Sequence, residues 1–188
     1  DSFRYPLAGE FAMRSHVVGD IRIPSDWGLE IGVLSEVRRN YSNRVIAQVD
    51  IADNYDHKHQ IVSADDATRG LSRMSVDISK AIFRKLATDG EIFSAEKFRT
   101  VKATYFREAL DRIDSYYNDA LMNGLTLDRH AEEATVELFA KNIMVAGETY
   151  LTNPMETPFL PSWNRVNAAS PDFLVRYAEA VRLDNAPE

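Results

Sequence analysis

Apolar residues recur at helical spacing through much of the chain, and the first such run contains an anomaly. In SDWGLEIGVL, at about 100° per residue, Trp27, Leu29, Ile31, Val33, Leu34 and Val37 fill one broad arc. The spacing predicts a helix from Trp27 to about Arg39, with Asp26 or Ser25 as N-cap. Gly28, Gly32, Ser35, Glu36 and Arg39 fall opposite and read as the solvent face, while Glu30 sits near the middle of the apolar arc. Ahead of it, Phe11 to Val18 predicts a short helix. Behind it, RVIAQVDI, Arg44 to Ile51, is rich in β-branched residues and bounded by NYSN and ADNYD. Apolar on both faces, it predicts a strand in a sheet interior.

Beyond about residue 63 the helical period dominates. Leu71, Met74, Ile78, Ile82, Phe83 and Leu86 mark a helix that Gly90 ends. Phe98, Val101, Tyr105, Phe106, Leu110, Ile113 and Tyr117 mark a second, from about Ser94 to Met122, closed by Gly124. A third is capped near Asp128, and SPDFLVRYAEAVRL carries the Ser, Pro, Asp start signal of a last helix. The Pro-rich TNPMETPFLPSW between them reads as a loop or a draped arm. Two regions follow: a mixed α/β part over 1–62 and a mainly helical extension over 63–188.

Composition narrows the function classes. A net charge of −7 and a pI near 5.2 argue against a general nucleic-acid or anionic-membrane partner. The absence of cysteine removes disulfides, thiolate catalysis and cysteine zinc sites, and fits a reducing cytoplasm. No run of about 18 apolar residues exists, and DSFRYPLAGE lacks the regions of a signal peptide. Tyr5, Leu7 and Phe11 are apolar almost from the first residue, as if the chain began inside a larger fold.

Three places have residue types suited to chemistry. Glu30 is either a carboxylate facing a polar ligand across an apolar wall, or a first-turn Glu favoured by the helix dipole. In DIADNYDHKHQ, His57 and His59 sit two apart, so in extended chain both rings lie on one side. With Asp50, Asp53 and Asp56 they form an oxygen and nitrogen set for a divalent metal, or else a solvated polar loop. Gly9 in YPLAGEFAMR permits close backbone approach to a ligand, or serves a turn beside Pro6. There is no P-loop, dinucleotide fingerprint, zincin or nucleophile-elbow motif, and no Asp-x-Asp pair.

In this order and separation, PLAGEFAMR, DWGLEIGVL, VIAQVD and YDHKHQ resemble the second half of the glucosyl-3-phosphoglycerate synthases and their mannosyl relatives, retaining glycosyltransferases of the GT-A fold. The resemblance implies the C-terminal part of a Rossmann-like GT-A domain over 1–62, on the acceptor and sugar side, followed by the helical extension. It implies that Leu7 and Gly9 line the nucleotide-sugar site with backbone groups. Trp27, Gly28, Leu29 and Glu30 would contact the transferred sugar, Glu30 accepting hydrogen bonds from its hydroxyls. Trp27 stands where a tyrosine is common. His57 would complete the coordination of Mg²⁺ or Mn²⁺, and His59 falls where some members carry an asparagine near the acceptor phosphate. The implied partners are a UDP- or GDP-hexose, 3-phosphoglycerate and a second copy in a homodimer. The Asp-x-Asp half typical of the family is not in these residues, so the expectation is a fragment, or a site completed from elsewhere. Two other readings stand beside it: a non-catalytic helical interaction or dimerisation module, and a metal-dependent hydrolase built on the Asp and His loop.

Overall fold

The computed structural model describes residues 9–51, 70–155 and 160–186. Seven α-helices run through them: α1 (Ser15–Asp20), α2 (Leu29–Asn40), α3 (Gly70–Thr88), α4 (Ala95–Met122), α5 (Arg129–Thr152), α6 (Trp163–Ala169) and α7 (Phe173–Asp184). No strand occurs among the described residues, which overturns the expected α/β, Rossmann-like GT-A fold class for them. The reason is visible at Arg44–Ile51. Asn43–Val45 forms a single 3₁₀ turn, and Ile46 continues in extended backbone, φ −106° and ψ 127°. Ile46 is therefore extended, but among the described residues no second segment supplies a ladder. A strand exists only through its inter-strand hydrogen bonds. The expected sheet interior is accordingly an exposed segment, with Val49 74% accessible.

The core lies where α3, α4 and α5 meet. Phe98, 1% accessible, stacks on Phe93 at 5.0 Å and tilts against Phe83 at 4.7 Å, with the Tyr150 ring edge-on at 6.3 Å. Ile143 and Ala146 of α5 close this cluster, and Val101 and Tyr105 extend it along α4. Gly147 explains how α5 comes so near: a Cβ there would lie 2.6 Å from Phe98 Cγ. A second α3–α5 contact is polar. Asn142 Nδ2 donates to Ser75 Oγ at 2.7 Å and to Ser72 Oγ at 3.1 Å, and Asn142 and Ser72 are both buried. Buried amides and hydroxyls that satisfy one another fix the register of the two helices, because a shifted register would leave them unpaired.

The end of α3, both ends of α4 and the start of α5 follow their sequence signals. Ser94 Oγ accepts from Lys97 N and Asp128 Oδ1 from Ala131 N, each filling an otherwise unmet first-turn donor. Gly90 and Gly124, φ +99° and +67°, take the left-handed conformation that ends α3 and α4. Helix α6 goes beyond the elements read from the sequence. Its N-cap Ser162 accepts from Arg165 N, and Trp163 packs on Phe173 and Tyr177 of α7. Just before α6, Leu160 N donates to Ile23 O at 2.8 Å, ahead of α2. No helix among the described residues is long and apolar enough to cross a membrane.

Gly147→Ala should destabilise the bundle. The helix-propensity gain of about 1 kcal/mol is outweighed by overpacking against an enclosed ring, for a net loss of about 1–2 kcal/mol. Urea denaturation followed by circular dichroism checks this, and a variant as stable as the parent would refute the close approach.

Candidate functional site

Helix α2 forms within two residues of its expected start, but its orientation differs from the expected one. Gly28, Gly32, Val33 and Glu36 are buried, whereas Trp27 is 44% accessible and Leu29 is exposed. Most of the small and polar face therefore points inward, and the start of the apolar arc points out. The cause is backbone packing. A Cβ on Gly28 would fall 2.6 Å from Ala81 Cβ and 3.5 Å from the Asp77 carbonyl oxygen, so α2 sits against α3 through its glycine side. Periodicity reports which side of a helix is apolar, but the available neighbour decides which side is covered.

The expected cap also differs. Gly28 is the N-cap and provides no side-chain bond. Asp26 instead closes a small turn, its Oδ1 accepting from Gly28 N at 2.9 Å. Glu30 then lies in the first turn of α2, half-buried, where the helix dipole favours a carboxylate.

Among the sequence-predicted site residues, the structure brings Gly9 and Glu30 together. Gly9 has φ +82°, and the position of its absent Cβ is 4.0 Å from Glu30 Oε1. A left-handed glycine thus lays bare backbone beside a carboxylate, with accessible Trp27 one turn earlier in the chain. That combination suits a polyhydroxylated ligand: the carboxylate accepts hydroxyl protons, the glycine admits close approach, and an indole covers an apolar sugar face. Gly28 faces α3. Leu7, His57 and His59 lie outside the described residues. Among the described residues, no three His, Asp or Glu side chains converge in a way that could hold a metal ion.

The lead-in to this site is held by residues that hydrophobic periodicity misplaces. Glu36, assigned to the solvent face by sequence, is 3% accessible. Its Oε2 accepts from Arg22 N at 3.1 Å, and Arg39 Nη2 lies 2.9 Å from Oε1. The Gly28, Gly32, Glu36 spacing of four is the signal that marks this inward stripe. At the other end of α2, Tyr41 O–H donates to Asp20 Oδ2, and Asn164 Nδ2 donates to Asp20 Oδ1. Loss of water around the phenol, then the hydrogen bond and charge of Asp20, push the Tyr41 pKa above its ordinary value. The phenol therefore stays a donor throughout the neutral range. Beneath the lead-in, Lys80 Nζ pairs with Asp77 Oδ1 at 3.1 Å, both side chains buried.

Comparison with known proteins bears out the resemblance. Over 188 residues the chain is 43% identical to a glucosyl-3-phosphoglycerate synthase of Persephonella marina, covering all of this chain and 46% of that protein. Over 185 residues it is 42% identical to a glucosyl-3-phosphoglycerate synthase of Methanococcoides burtonii, covering 97% of this chain and 45% of that protein. The chain thus spans just under half the length of these curated relatives, matching their C-terminal half. No protein-family profile and no solved structure matches it.

Gly28→Ala should destabilise by about 1–3 kcal/mol through overpacking. Adding Ala81→Gly removes the atom that the new methyl meets and should restore part of the loss. Urea titrations of the two single variants and the double variant test the contact, and strictly additive losses would refute it.

Proposed function

We propose that this chain is the C-terminal part of a retaining hexosyltransferase that moves glucose from a nucleotide sugar to 3-phosphoglycerate. The observation that carries this reading is the identity of 43% sustained along the whole chain with a glucosyl-3-phosphoglycerate synthase. The pairing of Gly9 with Glu30 supports it independently, because it sets a hydroxyl acceptor beside open backbone.

The chemistry accounts for the residue types. The bond between the anomeric carbon and the diphosphate breaks, and the free hydroxyl of 3-phosphoglycerate forms the new bond to that carbon and gives up its proton. Positive charge develops on the sugar ring and negative charge on the departing oxygen. Glu30 is assigned to hold the hexose hydroxyls, where a fixed carboxylate also favours the cationic ring by preorganised electrostatics. Trp27 and Leu29 are assigned to flank the sugar, with Leu7 and Gly9 toward the nucleotide and His59 toward the acceptor. His57 is assigned as a ligand of Mg²⁺ or Mn²⁺, an ion that as a Lewis acid stabilises charge on a leaving diphosphate. The reading includes a cytoplasmic location and a homodimer. Exposed apolar residues on α7, among them Val175 and Leu183, favour the dimer.

In the complete polypeptide, Glu30→Gln should lower kcat for glucose transfer by about 10²–10³-fold, as expected for loss of a preorganised electrostatic partner. His57→Ala should raise the Mg²⁺ or Mn²⁺ concentration needed for half-maximal rate. Transfer assays with 3-phosphoglycerate and each nucleotide sugar read both. Unchanged rates in Glu30→Gln would remove the sugar-holding role, and an unchanged metal requirement in His57→Ala would remove the ligand role.

A further inference from the structure

Glu36 is a buried charge to which the reading above gives no role. We infer that it is a positioning residue: its carboxylate pins the Arg22–Gly28 lead-in onto α2 and thereby places the Glu30 carboxylate beside Gly9.

Three observations lead there. First, the carboxylate is held from two separate parts of the chain. Arg22 contributes its peptide N–H at 3.1 Å and its Nε at 3.5 Å from Oε2, and Arg39 contributes Nη2 at 2.9 Å from Oε1. The Arg39 pair alone is an i,i+3 pair of the kind that ordinarily stays in water. What distinguishes this one is the lead-in backbone donating to the same group. Second, residues 21–28 contain no regular helix or strand, so their peptide groups need partners from elsewhere. Glu36 meets Arg22 N, and Leu160 N donates to the neighbouring Ile23 O. Third, α2 begins without a side-chain cap. First-turn amides have no intrahelical acceptor, so an uncapped end frays unless tertiary contacts hold it. Here those contacts are the Arg22 clamp and the packing of Gly28 on Ala81, and Glu30 is two residues past Gly28. Glu36 lies further along α2, so its influence on the sugar site passes through the lead-in to Glu30.

Catalytic use of this clamp rests on the glucosyltransferase reading; its geometry does not. The test compares Glu36→Gln, Glu30→Gln and the double variant in the complete enzyme. Gln keeps the shape and one acceptor oxygen but removes the charge that holds both arginines. Amide hydrogen exchange should quicken over residues 22–30 and remain unchanged over 76–83 and 140–147. The kcat should fall toward the roughly 100-fold loss that a misplacement of about 1 Å causes, and Glu36→Gln should cost nothing further in the Glu30→Gln background. Unchanged exchange over 22–30, or losses that multiply in the double variant, would overturn the inference. Should Glu36→Gln loosen the α3–α5 core as well, Arg22→Pro decides, since it removes the peptide donor along with the side chain, follows an Ile21 already in the extended conformation that precedes proline, and leaves the carboxylate its Arg39 partner: a local rise in exchange supports the clamp, and none refutes it. Absence of hexose transfer by the unsubstituted enzyme would remove the glucosyltransferase reading, leaving the exchange pattern to judge the clamp.

Discussion

Among the described residues, the three long helices α3, α4 and α5 are arranged around Phe98. The ring comes from α4, is covered by Phe83 of α3, and is met by α5 at a position where only hydrogen stands on the α-carbon. Aromatic rings at these separations add directional attraction to their buried area, so the cluster fixes orientation as well as proximity. The Ser72–Asn142–Ser75 hydrogen bonds then set the register along the helix pair. With α3 thus immobilised on one side, its other side becomes a platform, and α2 is seated on it through Gly28 and Ala81.

The site inherits its placement from that platform rather than from its own hydrophobicity. Trp27 and Leu29 are accessible, and Glu30 is half-buried; none of them anchors the helix that carries it. Anchoring falls to residues without side-chain bulk or with paired charge: Gly28 and Gly32 on the inward stripe, Glu36 with its two arginines, and Asp26 in the turn. Under the proposed reading, the accessible apolar side chains and the carboxylate serve different parts of the ligand, its apolar face and its hydroxyls.

Signals are legible in the sequence where the physics is local. Ser94, Asp128, Gly90 and Gly124 mark helix ends because capping and left-handed backbone depend on a few adjacent residues. The motifs carrying the family resemblance were legible too, and Gly9 and Glu30, far apart in the sequence, are adjacent in space. What failed depends on distant partners. The Arg44–Ile51 segment has the composition of a strand, yet strands are defined by what pairs with them. The facing of α2 followed a glycine stripe that hydropathy scores as neutral. Helix α6 is short, and its Trp163 is satisfied by α7 rather than by any periodic pattern of its own.

The contacts that the arm's residues 160–164 make, Leu160 with Ile23 and Asn164 with Asp20, have a temporal meaning. Asp20 and Asn164 are 144 residues apart in the sequence, and closing so long a loop costs entropy that rises only with the logarithm of its length. The cost is modest, but the order of events is constrained. During translation α1, α2 and the lead-in leave the ribosome before α3 to α5. The two ties to the arm cannot form until residues 160–164 have been synthesised. Until then, among the described residues, Glu36 supplies the lead-in's long-range backbone bond.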